Sequence, residues 1–123
     1  MKLTLGHVSL LVADTVISLS FYHDLLGLPI CQERPDLGYP GAWLELDDGR
    51  QIHLLELPNP DANIQRPEHG GRDRHTALYV EQLDGLIIKL DAAGIRYTMS
   101  RSGRRALFCR DPDGNALEFI ESV

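Results

Sequence analysis

The sequence predicts an α+β chain in which one strand–helix–three-strand module occurs twice. Three observations carry this expectation. The segment Gly6-His7-Val8-Ser9-Leu10-Leu11-Val12 returns 68 residues later as Arg74-His75-Thr76-Ala77-Leu78-Tyr79-Val80. The segment Gly49-Arg50-Gln51-Ile52-His53-Leu54-Leu55-Glu56 returns 65 residues later as Gly114-Asn115-Ala116-Leu117-Glu118-Phe119-Ile120-Glu121. Each half also carries one apolar stripe at helical spacing, closed by Gly27 in the first and Gly94 in the second. A module of about 60 residues is too small to hold a core easily by itself. The modules are therefore expected to pack on each other or on those of a second chain.

Taken in order, Leu3 to Val12 is Leu- and Val-rich, with His7 and Ser9 recurring at period two, and reads as a strand. Asp14 can cap a helix. Ile17, Phe21 and Leu25 mark one helical stripe, with Leu19, Tyr22 and Leu26 beside it. Gly27 ends that helix and Pro29 prevents its continuation. Short strands follow near Ile30 to Arg34, Ala42 to Leu46 and Arg50 to Leu57, with Asp48-Gly49 as a hairpin turn. The first module is thus 1–57. Residues 58–73 have no periodicity and contain Pro58, Pro60, Pro67 and Gly70-Gly71, so they read as a long linker. The second module, 74–123, opens with the strand Arg74 to Val80. Its helix carries the stripe Leu83, Leu86, Ile87 and Leu90, and strands at Arg96 to Thr98, Arg104 to Arg110 and Asn115 to Glu121 complete it. Asp111-Pro112-Asp113-Gly114 is the turn equivalent to Asp47-Asp48-Gly49.

The chain has 123 residues, 43% hydrophobic and 24% charged, which fits one globular domain. Eighteen acidic residues against twelve basic ones give a formal charge of −6, which argues against a nucleic-acid or anionic-membrane surface. Ten of the basic residues are Arg, the better side chain for gripping a carboxylate or phosphate. The start of the chain lacks a signal-peptide core, and no apolar run is long enough to span a membrane. Cys31 and Cys109 lie in apolar runs and suit a reducing compartment. A cytoplasmic location is expected.

His7, His53, His75 and Glu118 occupy equivalent slots of the two repeats. A pseudo-twofold axis would bring all four to one point. Three imidazoles and a carboxylate form a good site for one divalent transition metal, with nitrogen-rich ligation favouring Ni, Co, Zn or Fe over Mg or Ca. Strand alternation tests what shares that face. Gln51 and Leu55 lie with His53, while Ile52 and Leu54 point away. Ala116 and Ile120 lie with Glu118, while Leu117 and Phe119 point away. Trp43 and Glu45 fall on the site side, Leu44 and Leu46 on the helix side. Their counterparts are Phe108 and Arg110 on the site side, and Cys109 and Asp111 on the helix side. Arg104 shares the parity of Phe108 and Arg110. The cavity is expected to carry Trp43 and Phe108 as walls, Tyr79 further out, and Arg104 and Arg110 toward an anionic group. His23 reads as a solvated or capping residue, His69 as a structural or incidental residue of a linker that could also act as a lid over the site, and Cys109 as core.

These residues resemble the vicinal oxygen chelate superfamily, which includes glyoxalase I, fosfomycin-resistance enzymes, extradiol dioxygenases, methylmalonyl-CoA epimerase and bleomycin-resistance proteins. The likeness covers nearly the whole chain. It is carried by His7-Val8-Ser9-Leu10-Leu11-Val12, by Ser20-Phe21-Tyr22-His23-Asp24-Leu25-Leu26-Gly27-Leu28 and by Asp111-Pro112-Asp113-Gly114-Asn115-Ala116-Leu117-Glu118. The resemblance implies paired βαβββ modules, a cupped mixed sheet around a metal, and ligand slots at His7, His53, His75 and Glu118. Bacterial glyoxalase I looks like His, Glu, His, Glu in those slots, so His53 is a departure. Fosfomycin thiol transferases are similar in length and in Trp43-Leu44-Glu45-Leu46, but their seventh-strand tyrosine matches Phe108 and a lysine they use matches Thr98. Extradiol dioxygenases leave the second slot open, and His53 would fill it.

The expected function is that of a metal-dependent lyase or isomerase of the glyoxalase I type on a small vicinal-oxygen substrate, with Glu118 as the catalytic carboxylate. The alternatives are a fosfomycin-type metallothiol transferase with a thiol cosubstrate, and a non-catalytic binding protein for a metal or small molecule. A homodimer is expected.

Overall fold

A computed structural model describes residues 1–122. The chain is α+β, and its contacts divide it into two compact units, Met1–Ala62 and Asn63–Val123. None of the described helices is long and apolar enough to cross a membrane.

The first unit contains strand β1 (His7–Leu11), helix α1 (Thr15–Leu19), and strands β2 (Gly41–Glu45) and β3 (Gln51–Leu55). The sheet order is β1-β3-β2, with β1 parallel and β2 antiparallel to β3. The alternation holds: Ile52 and Leu54 are fully buried with Leu44, and Ala42 is buried beside them. Each fully buried Leu or Ile contributes about 1.5–3 kcal/mol relative to exposure.

Two local expectations need correction here. Asp14 does cap α1, its carboxylate accepting the Ile17 N–H at 3.1 Å. The helix does not run regularly to Gly27, however. It passes at Ser20–Leu25 into a π-helical turn, in which the Leu26 N–H reaches the Phe21 carbonyl five residues back. The wider turn rotates the buried face. Phe21 and Tyr22 are therefore both buried, meeting edge to face at 4.9 Å, while Ile17 is 56% exposed. The strand expected at Ile30 to Arg34 shrinks to a single bridge between Ile30 and Leu44. Pro29 has no N–H to donate and Pro35 follows closely, so the pairing ends after one step.

The second unit contains strand β4 (His75–Val80), helix α2 (Leu83–Ala92), and strands β5 (Tyr97–Met99), β6 (Ala106–Arg110) and β7 (Ala116–Glu121). Its order is β4-β7-β6-β5, with β4 parallel to β7 and the others antiparallel. Leu83, Leu86 and Leu90 bury the expected helical stripe. Gly94 closes the helix and Gly114 closes the β6–β7 turn, both at positive φ, where a side chain would strain the backbone. The last part of the expected linker belongs to this unit and is built into it. Gly70–Arg72 form one 3-10 turn. Asp73 accepts from Arg66 at 3.1 Å and from Arg110 at 2.9 Å.

The repeat extends to the helix caps. The Glu56 carboxylate accepts the Thr15 N–H at 2.8 Å, and the Glu121 carboxylate accepts the Leu83 N–H at 3.0 Å. In each unit a carboxylate at or just past the end of the last strand, the one carrying His53 or Glu118, thus caps the helix start, where unsatisfied N–H groups and the helix dipole favour negative charge.

Candidate metal centre

In the first unit the sheet order places β3 between β1 and β2, so His53 has a ring on either side. Trp43 stands opposite His53 in register and stacks on it at 4.2 Å with the planes 6° apart. His7 stacks on the other face at 3.9 Å and 18°. The Glu45 carboxylate accepts from the Gln51 amide nitrogen at 3.0 Å. The Gln51 oxygen can then only accept, so His53 Nε2–H donates to it at 2.8 Å and the lone pair of the ring lies on Nδ1. The His53 imidazole is held below its ordinary value of 6.5 by burial, then by the charges of His7 and Arg34. A neutral imidazole is the form that binds a metal.

In the second unit Glu118 is 3% exposed and lies opposite Phe108 in register. Both carboxylate oxygens face a nitrogen: Oε1 is 3.3 Å from His75 Nε2, and Oε2 accepts from Arg104 Nη2 at 3.1 Å. His75 Nδ1–H donates to the Asp73 carbonyl at 2.9 Å, which directs the other ring nitrogen toward Glu118. A backbone carbonyl behind the distal nitrogen is the usual support of a metal-binding imidazole. Two ligands about 2.1 Å from a tetrahedral ion stand about 3.4 Å apart. The 3.3 Å between Nε2 and Oε1 fits that geometry, and the same gap is also met by a proton on Nε2. Within each unit the structure brings together one pair of the expected ligands, His7 with His53 and His75 with Glu118.

Phe108 meets the His75 ring edge to face at 5.1 Å and the His69 ring at 4.9 Å. Of the structural and incidental readings of His69, this packing fits the structural one. The His69 Nδ1 shares a 2.7 Å hydrogen bond with Thr98 Oγ1. Gly70 and Gly71 make this packing possible. A Cβ on Gly71 would stand 2.8 Å from His69 Nε2 and 3.1 Å from Phe108, and one on Gly70 would stand 3.2 Å from Phe108. The signal available was Gly70-Gly71 itself, which permits close approach of backbone to a ring. The remaining expected residues separate. Tyr79 is on the same face of β4 as His75 but is 78% exposed. Arg110 binds Asp73 and the Gly114 carbonyl at 2.8 Å, so its guanidinium fastens the loop before β4. His23 Nδ1–H donates to the Leu28 carbonyl at 2.8 Å and fastens the end of the π turn.

The sequence model of the Glyoxalase/Bleomycin resistance protein/Dioxygenase superfamily matches residues 4–119. The chain belongs to that superfamily. It is 32% identical over 120 residues to "Glyoxylase I 4" of Arabidopsis thaliana, covering 94% of this chain and 68% of that protein. It is 31% identical over 123 residues to lactoylglutathione lyase of Haemophilus influenzae, covering 94% of this chain and 90% of that one. Among solved structures it resembles the fosfomycin resistance protein FosX of Listeria monocytogenes, complexed with Mn(II) and sulfate. The TM-score there is 0.76 at 17% identity, over 100% of this chain and 93% of that one, a likeness of fold.

Proposed function

We propose that this superfamily member is a divalent-metal-dependent lyase or isomerase of the glyoxalase I type, acting on a small substrate with two neighbouring oxygens. The observation that carries the proposal is the pair His75–Glu118: an imidazole and a buried carboxylate set 3.3 Å apart, with the distal ring nitrogen already committed to a carbonyl. The stacked His7–His53 pair of the other unit supplies two more nitrogen donors. The 31% identity to a lactoylglutathione lyase adds support. His7, His53, His75 and Glu118 would hold one ion of Ni, Co, Zn or Fe. When bound, such an ion supplies Lewis acidity toward the vicinal oxygens of the substrate. Trp43 and Phe108 would wall its apolar part.

The proton work falls to this chain's own groups. Glu118 is the only carboxylate of the quartet, so it takes the proton from the carbon beside the carbonyl and returns it to the neighbouring carbon. The departure at His53 thus turns a two-carboxylate arrangement into a one-carboxylate one.

Untagged protein is expected to hold close to one divalent ion per site at full loading, measured by elemental analysis. It should turn over a hemithioacetal of glutathione. Glu118→Gln should lower kcat by about 10²–10⁴-fold, more than it weakens metal binding. Fosfomycin with a thiol, and a catechol with Fe(II), run beside it as controls. Failure to bind any of the four ions would sink the metal reading. Binding without turnover of the hemithioacetal would sink the glyoxalase reading alone.

A further inference from the structure

We infer that Arg34 is an oxyanion-binding residue on the face of the first sheet that carries Trp43 and His53, so the substrate bears a carboxylate or phosphate-type group besides its two neighbouring oxygens. This deepens the function proposed above and rests on it for those two oxygens. The anion contact stands on observations of its own. Arg34, Arg50, Arg66 and Arg110 are half-buried. Arg50 is paired with Asp48, and Arg66 and Arg110 with Asp73. Among the described residues Arg34 has no carboxylate partner. Its Nε is buried without a hydrogen-bond partner. A guanidinium partly drawn out of water is costly unless a group of opposite charge reaches it.

The loop that carries Arg34 holds its guanidinium in place. Asp36 accepts the Gly38 N–H at 2.9 Å, and Gly38 turns the chain back at φ +82. The Tyr39 carbonyl accepts from Arg34 Nη2 at 2.9 Å, and the Tyr39 ring faces the guanidinium at 5.4 Å. Gly41, the first residue of β2, leaves room for it. A Cβ there would stand 3.0 Å from Arg34 Nη2, with the Leu54 carbonyl closer still. Trp43 follows Gly41 by two residues and so points to the same face, where it stacks on His53. The Arg34 charge accordingly bears on the His53 imidazole. Nη1 is the nitrogen left over. Among the described residues it has no partner, and unlike Nε it is not sealed from solvent. The carboxylate that β2 brings to this face, Glu45, is engaged by the Gln51 amide. A fixed guanidinium with a spare N–H edge is suited to gripping carboxylate or phosphate oxygens.

Trp43 is the single tryptophan of the chain, so its fluorescence reports on this face. The experiment titrates acetate and, separately, inorganic phosphate into the full chain at pH 8, where imidazoles carry little charge, with chloride holding ionic strength constant. Wild type should show a saturable change with at least one of the two, and the tighter of them tells carboxylate from phosphate. Arg34→Gln should weaken that binding about ten- to a hundredfold, and Arg34→Lys less, since lysine keeps the charge without the fork. Arg96→Gln, which removes an exposed arginine of the other unit, should leave it unchanged. No saturable response in wild type, equal affinity in Arg34→Gln, or an equal loss in Arg96→Gln overturns the inference. If Arg34→Gln does not fold by circular dichroism, Arg34→Lys decides, and wild-type affinity in that variant overturns it. The substrate is tested with the hemithioacetals of mercaptoacetate and mercaptoethanol, alike in size and different in charge. Wild type should favour the anionic one in kcat/KM, and Arg34→Gln should lose that preference. No preference in wild type, or its survival in Arg34→Gln, overturns the assignment of an anionic substrate. Turnover of no hemithioacetal at all overturns the glyoxalase reading alone, and the anion titration still judges Arg34.

Discussion

Cys109 shows what burial does to a reactive side chain. It is 3% exposed on β6, and burial, with the nearby Asp111 charge, pushes its thiol up from 9.0 to about 12. The thiolate is the nucleophile, so the folded thiol is inert at neutral pH. Cys31 is only half-buried. Titration with an aromatic disulfide reagent at pH 8 should find one fast thiol per folded chain and two in denaturant. Two fast thiols in the folded chain would contradict the burial. The linkage has a definite sign. An unfolded chain ionises the thiol near 9.0 and the folded chain only near 12, so this group lowers stability as pH rises above 9.0. At this scale much was legible. Parity along β2 and β6 put Trp43 beside His53, Phe108 beside His75, and Cys109 in the core. What parity cannot see is a residue outside a strand. His69 reaches Phe108 from a segment without periodicity, and Arg110 is turned aside by Asp73, whose position depends on that same segment.

Among the elements, the paired caps give the clearest test. Glu56→Gln and Glu121→Gln each remove a charge from a helix start and should each cost about 1 kcal/mol by chemical denaturation. Glu121→Gln should cost somewhat more, because Glu121 also accepts from Arg105 Nε at 2.9 Å. No measurable loss in either variant would show that the caps are incidental. The repeat at offset 65 already aligned Glu56 with Glu121, yet nothing in the spacing said that their side chains would reach back to the helices. Asp14 as cap and Gly27 and Gly94 as stops were legible because each acts within a few residues. The π turn was not. Sequence spacing is judged against a 3.6-residue period, and a wider turn hides behind the same apolar residues.

For the whole molecule we propose a homodimer, and whether each metal site is completed within one chain or across two is open to a direct test. β1 and β4 end their sheets, and such edges invite pairing or cover. His7 and His53 fall in one unit, His75 and Glu118 in the other. Mixing His7→Ala protein with Glu118→Ala protein tests the sharing. If a site takes His7 from one chain and Glu118 from the other, exchanged subunits regain one intact site per mixed dimer and part of the activity. If every site is built from one chain, no mixture recovers anything. Sedimentation as a monomer at micromolar concentration would exclude the dimer.

The strand order has a consequence for how the chain is made. In each sheet the last strand in sequence is an inner one: β3 lies between β1 and β2, and β7 lies between β4 and β6. As the polypeptide leaves a ribosome, β1 therefore waits for β3, and β4 waits for β7, before it gains a neighbour within its sheet. A nascent chain stalled just before Ala116 would hold the β5–β6 hairpin with β4 unpaired, an edge open to other chains. Closing each sheet around its final strand makes long-separation pairing the late step, a topology that favours slow folding. A chain ending before Ala116 would lack the inner strand of the second sheet, and β4 would have nothing to join it to the β5–β6 hairpin.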